Sequence, residues 1–203
     1  GEIGATAVVA AAVGVVADRR HPCMTDPQHS TLPSGIRVVT ERMPEARSVS
    51  VGVWVGIGSR DETTELAGAS HFLEHLLFKG TAERSARSIA VSVDSVGGEM
   101  NAFTAREHTV YYTRLPVAEL GFGLYLLTDV VSSPAFRPEE VDAEREVILE
   151  EILMNEDTPD DVVVTALYEA LFPGHPIGET EAETEAEPEN GNTESLVMIQ
   201  SKS

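Results

Sequence analysis

A single cysteine, Cys23, stands among the 203 residues, so no intramolecular disulfide can form. That excludes the disulfide-stapled scaffolds of small secreted domains and permits a reducing compartment. Basic residues are scarce, with 14 Lys and Arg against 34 Asp and Glu and a formal charge of −20. An acidic surface repels phosphate backbones and anionic headgroups, which sets nucleic acid and membrane aside as partners. A membrane-spanning run is also lacking. The apolar stretch IGATAVVAAAVGVV near the N-terminus has about 14 residues, fewer than the roughly 20 a spanning helix needs. Glu2 precedes it rather than Lys or Arg, so it lacks the basic flank of a signal peptide. A cytoplasmic location is the expectation. There is no internal repeat, and the six histidines form no second metal-binding spacing.

What is present begins with LAGASHFLEHLLF, Leu66 to Phe78, an apolar run interrupted by His71, Glu74 and His75. Burying two imidazoles and a carboxylate costs free energy unless something pairs with them. At about 100° per residue, positions i, i+3 and i+4 share a helix face, so the three form one polar stripe. With Leu73, Leu76 and Ala69 opposite, and Phe72 and Leu77 flanking, the helix should be buried nearly all round. An isolated H-x-x-x-H is more often a surface pair or two satisfied core histidines. The Glu before the second His changes the balance, because H-x-x-E-H is the inverted form of the zincin motif H-E-x-x-H. Two neutral imidazoles can ligate one Zn²⁺, and Glu74 can sit beside a metal-bound water as its base.

A catalytic zinc takes a third protein ligand and leaves a position for water. The segment RPEEVDAEREVILEEILMNED, Arg137 to Asp157, reads as an amphipathic helix opened by Pro138 with acids in its first turn. Val141, Ile148 and Ile152 fall in one stripe, and Glu144 and Glu151, seven residues apart, run along its edge. Glu146 and Glu150 point away and read as a solvated face. Glu151 is therefore the candidate third ligand, and Glu144 a carboxylate that orients a histidine or the water.

From about Thr31 to Gly178 the chain resembles the pitrilysin and mitochondrial-processing-peptidase family of zinc metallopeptidases, especially its bacterial processing-protease-like members. The resemblance is carried by LPSGIRVVTE, VSVGVWVGIGSRDE, GASHFLEHLLFKGT, GGEMNAFTAREHTVYY, EREVILEEI and the DTPDD turn. It implies one Zn²⁺ per chain on His71, His75 and Glu151, with Glu74 as base and Glu144 assisting. It also implies that the strand around Asn101 pairs with an extended peptide substrate, which makes Asn101, Ala102 and Phe103 candidates for substrate contact. An ordinary edge strand with Asn101 in a polar turn stays open as the alternative. His108, just beyond, reads as a surface or hydrogen-bonding residue.

The fold implied is α+β, with helices packed on one face of a mostly antiparallel sheet. IRVVTE and SVSVGVWVGIG alternate as strands do, and MNAFT and TVYYTRL read as a hairpin joined through AREH. Ser88 to Val96 and Val117 to Ser133 read as helices. Residues 24–178 form the expected half-domain. Residues 1–23 read as an upstream extension with little structure. In residues 179–203, Glu recurs at every second position from Glu179 to Glu189, which predicts a disordered acidic tail. Family enzymes pair two related halves, and the other half supplies an Arg and Tyr that hold the substrate. The resemblance thus implies a second homologous half-domain or subunit as partner. The function expected is a zinc metalloendopeptidase, present as its N-terminal catalytic half. The alternatives are a catalytically silent subunit of the same fold, a truncated inactive product, or a zinc site closed by a fourth ligand that serves only stability.

Overall fold

The computed structural model describes residues 7–12, 27–43 and 46–178. Its frame is one six-stranded sheet made of β1 (Ala7–Ala12), β2 (Gln28–Thr31), β3 (Arg37–Glu41), β4 (Ser48–Val55), β5 (Glu99–Thr104) and β6 (Thr109–Pro116), in the order β2-β3-β1-β4-β6-β5. All pairings are antiparallel except β1 with β3. The class is α+β, and the sheet is mostly antiparallel as expected.

Alternation in β4 and β6 decides which face is buried. Val49 pairs with Leu115, Val51 with Thr113 and Val53 with Tyr111. Side chains two apart on a strand share a face, and Val49, Val51, Tyr111, Thr113 and Leu115 are all buried. Against this face lie α1 (Ala69–Leu77), α2 (Ala86–Ser95) and α3 (Leu120–Ser132). The buried positions of α3, Gly123, Leu126, Leu127 and Val130, recur at the i, i+3, i+4, i+7 spacing of a single helical stripe. Ile89 and Val93 do the same for α2, which begins at a Ser85 cap whose hydroxyl accepts the Ser88 amide at 3.2 Å.

Three findings differ from expectation. Ala7–Ala12 lies in the sheet between β3 and β4, where little structure is expected. The physical reason is backbone pairing on both sides, open to a short apolar segment with no charge or proline to interrupt a central strand. Second, α1 buries Ser70, Leu76 and Leu77, while His71 to His75 are half-buried, because the polar stripe opens toward α4 (Pro138–Glu156) and to solvent. Third, the DTPDD turn leads straight into a further helix, α5 (Pro159–Leu171). Pro159 at its first position and Asp160 and Asp161 in its first turn are ordinary start signals. The Val162 to Val164 run, β-branched and poor in helix propensity, obscures them. The rest of the expected extension, and the whole acidic tail 179–203, lie outside the described residues. Among the described residues, no helix is long and apolar enough to cross a membrane.

Candidate metal centre

The site is built where α1 meets α4. The start of α1 is held by a residue far from any ordinary cap position. Gly68, the residue before the helix, sits in the left-handed region at φ 78°, open to glycine without strain. The Glu62 carboxylate accepts the amides of Gly68 at 2.7 Å and of Ser70 at 2.6 Å, satisfying two orphan donors and placing negative charge at the positive end of the helix. The loop carrying Glu62 is anchored in turn. Arg60 N–H donates to the Arg106 carbonyl at 2.9 Å, and the Arg60 side chain pairs with Glu107 in the β5–β6 turn. Gly58 allows this approach, since a Cβ there would collide with the Ala105 carbonyl and stand 2.6 Å from the Arg106 carbonyl carbon. Arg106 also stacks on Tyr168 of α5, with its guanidinium carbon 3.8 Å from the ring centre.

On α1, His71 Nε2 and His75 Nε2 face one another at 3.1 Å. Glu151 Oε2 of α4 lies 3.5 Å from His75 Nε2 and 3.9 Å from His71 Nε2. Among the described residues, this is the group of three or more His, Cys, Asp or Glu able to hold an ion, with donor atoms all within 4.8 Å of one another. The shorter Glu151 separation is at the limit of a hydrogen bond and the longer lies beyond it. They suit donors around a common centre instead: four-coordinate zinc with bonds of about 2.0–2.1 Å has donor–donor edges of about 3.3–3.4 Å. Two imidazole nitrogens and one carboxylate oxygen are also the donor types zinc prefers. The residues present therefore fit the ion.

Glu144, buried at 4 % exposure, accepts from His75 Nδ1 at 2.8 Å and from Lys79 Nζ. With the proton of His75 fixed on Nδ1, its Nε2 carries the lone pair that a ligand needs. Burial alone would raise the Glu144 pKa. The hydrogen bonds and charges of Lys79 and His75 outweigh it and hold that pKa below the ordinary 4.5. Glu146 and Glu150 are exposed, while Val141, Ile148, Glu151 and Ile152 are half-buried. Glu74 accepts from the Thr104 hydroxyl at 2.6 Å. Nearby Tyr111 has its pKa raised by burial first and by the Glu74 charge second.

Asn101, Ala102 and Phe103 stand apart from this cluster, on β5 at the sheet edge. Asn101 and Phe103 are exposed, and the Phe103 ring meets His108 edge-on at 5.9 Å. Ala102 is buried, so a peptide could reach only its backbone, and its amide is taken by Asn101 Oδ1 at 2.9 Å. Glu62, Lys79 and Thr104 are the residues that sequence reasoning misses. Lys79 alone left a signal there, four residues after His75 at helical spacing.

A sequence model of the family described as Insulinase (Peptidase family M16) matches residues 37–185. An uncharacterized zinc protease of Mycobacterium tuberculosis is 53% identical over 152 residues, covering 75% of this chain and 35% of that protein. An Arabidopsis thaliana protein named "Probable mitochondrial-processing peptidase subunit beta, mitochondrial" is 37% identical over 169 residues, covering 79% of this chain and 32% of that one. The chain thus spans about a third of the length of the curated relatives it matches. Among solved structures, a protease from Helicobacter pylori superposes with a TM-score of 0.71 at 28% identity, covering 76% of this chain and 38% of that one.

Proposed function

The chain belongs to the insulinase family of peptidases, family M16, and from that premise we propose that it is the N-terminal catalytic half of a zinc-dependent endopeptidase acting on extended peptides or unfolded segments. The observation that carries this reading is the placing of Glu151 Oε2 at 3.5 and 3.9 Å from two facing imidazole nitrogens, with Glu74 on the same helix as both. His71, His75 and Glu151 would hold the zinc, which when bound supplies Lewis acidity to the reacting carbonyl and water. Glu144 and Lys79 keep His75 in the tautomer that presents Nε2. Glu74 receives the proton of the attacking water on its carboxylate and returns it to the leaving amine. The outer edge of β5 at Asn101, Ala102 and Phe103 would receive the peptide, which pairs with the Ala102 backbone once Asn101 Oδ1 yields its amide. A catalytically silent subunit would tolerate loss of these side chains, and the intact set favours the enzyme.

A second homologous half, as a further stretch of polypeptide or a separate subunit, completes this reading. It would enclose the substrate and add donors to the developing oxyanion, and losing one such donor costs about 10²- to 10³-fold in rate. The test is metal analysis coupled to cleavage of an unstructured peptide. The chain is assayed alone and with the stretch of the mycobacterial relative that lies beyond the matched residues. The expected result is about one zinc per chain, cleavage barely above background for the chain alone, and a chelator-sensitive gain on adding the second half. Glu74→Gln should keep the zinc and lose turnover. Absence of zinc binding, or equal turnover of Glu74→Gln and parent, would overturn the reading.

A further inference from the structure

Thr104, the last residue of β5, places its hydroxyl 2.6 Å from Glu74 Oε2 and 3.5 Å from the Ser70 carbonyl. A hydroxyl has one proton to give. The first is a short O–H···O hydrogen bond, while the second is at the limit of any hydrogen bond, so the proton is committed to Glu74. Threonine is stiff at χ1 because its Cβ is branched. Its backbone is fixed as well: Thr104 pairs with Thr109 of β6, and the Thr109 hydroxyl donates to the Ile57 carbonyl at 3.0 Å. A rigid donor therefore meets a side chain that would otherwise turn about three torsions. Ordering such a side chain has an entropic cost, which falls on substrate binding and the reaction unless the folded protein has met it beforehand.

We infer that Thr104 is a positioning residue for Glu74. It pins one carboxylate oxygen, so that the other is aimed, and it ties the proton acceptor on α1 to the strand whose outer edge would carry the peptide. Substrate backbone and base then share one rigid reference, three residues along β5 from Asn101. The inference rests on the reading of Glu74 as the proton acceptor. A plain staple between α1 and β5 would make the same contact, so the test must read Glu74 itself and not only stability.

The experiment uses the whole chain, metal-free and labelled with ¹³C at glutamate carboxyl groups, with the Glu74 resonance identified by its disappearance in Glu74→Gln. Thr104→Val, which keeps shape and removes the proton, should displace that resonance at fixed pH, and Thr104→Ser should bring it back. In the assay with the second half added, Thr104→Val should lower kcat by about 10- to 100-fold, with KM within about twofold and zinc content unchanged. Thr104→Ser should recover most of the rate. If Thr104→Val does not fold, Thr104→Ala carries the same comparison with serine. A Glu74 resonance unmoved by Thr104→Val, or a rate that serine does not restore, overturns the inference. Full turnover of Glu74→Gln would instead refute the proton-acceptor reading, and the carboxyl resonance would still report whether Thr104 orients the group.

Discussion

Lys79→Met tests how the buried carboxylate beneath the candidate metal centre is held. Methionine keeps the aliphatic stem and removes the ammonium, leaving Glu144, with a side chain 6% exposed, to His75 alone. A hydrogen bond to a charged group contributes about 1.5–3 kcal/mol, and stripping one partner from a fully buried pair costs about 3–5 kcal/mol. The Lys79 side chain is 33% exposed, so water already screens the ammonium and the low end applies. We expect a loss of about 2 kcal/mol, or about 4–8 °C in thermal midpoint for a chain of this length. Urea and thermal unfolding of the metal-free chain at neutral pH measure it. Neutral Gln at 144 no longer needs a counter-charge, so the double variant Lys79→Met/Glu144→Gln should be more stable than the sum of the single losses implies, by about 1–2 kcal/mol. Zinc affinity of Lys79→Met should fall by about 10- to 100-fold, because the partner that fixes the His75 tautomer is no longer held. Additivity of the cycle to within about 0.3–0.5 kcal/mol would refute the reasoning.

Three further outcomes follow from neighbouring features. Glu151→Gln should sharply weaken zinc binding in equilibrium dialysis and Glu150→Gln should not; the reverse result would mean that the wrong face of α4 meets α1. Because Lys79 and His75 hold the Glu144 pKa below 4.5 in the folded state, the unfolded chain binds that proton more tightly. The stability Glu144 confers is complete above 4.5 and lost as pH falls through the lowered folded value, so the unfolding free energy of parent minus Glu144→Gln should shrink on acidification below 4.5; a difference that grows there contradicts the assignment. Gly58→Ala, which forces a methyl into the Ala105–Arg106 backbone, should cost about 1–3 kcal/mol. Gly121→Ala, on an exposed helical position with nothing within 4 Å of the added carbon, should gain about 0.4–1 kcal/mol, and calorimetry that found the same sign for both would count against the packing argument.

The parts of the site that sequence makes legible are those governed by helical period. His71, Glu74 and His75 lie within one turn or so of each other, and Glu144 and Glu151 are two turns apart on one helix, so a projection at about 100° per residue is enough to group each set. Likewise β4, β6 and α3 announce themselves, since Val49 and Val51, or Leu126, Leu127 and Val130, repeat at the period of the element that buries them. Contacts between elements leave no such trace. Glu62 caps α1 from eight residues before Ser70, Thr104 reaches Glu74 across 30 residues, and nothing periodic connects either pair. The strand at Ala7–Ala12 is hidden for a related reason. Alternation cannot mark a short segment of small apolar residues, and its strand state depends on hydrogen bonds to β3 and β4 that only the assembled sheet provides. The start of α5 is legible in Pro159, Asp160 and Asp161, but three successive valines mask it.

The division of the donors between α1 and α4 also governs how an ion could come and go. His75 and Glu144, whose hydrogen bond joins the two helices, are 69 positions apart in the chain. Closing a flexible loop of that length costs about 4 kcal/mol beyond a constant contribution. An unfolded chain offers at most the adjacent histidine pair, a weak two-point trap. The third candidate donor joins them only where α4 packs on α1, so an ion held by all three would favour completed tertiary structure over the disordered ensemble. Loss need not reverse the whole sequence. Lifting the α4 segment around Glu151 away from α1 would remove one donor while the sheet stays paired, so the dissociation rate of a bound ion would report the local opening of a single helix.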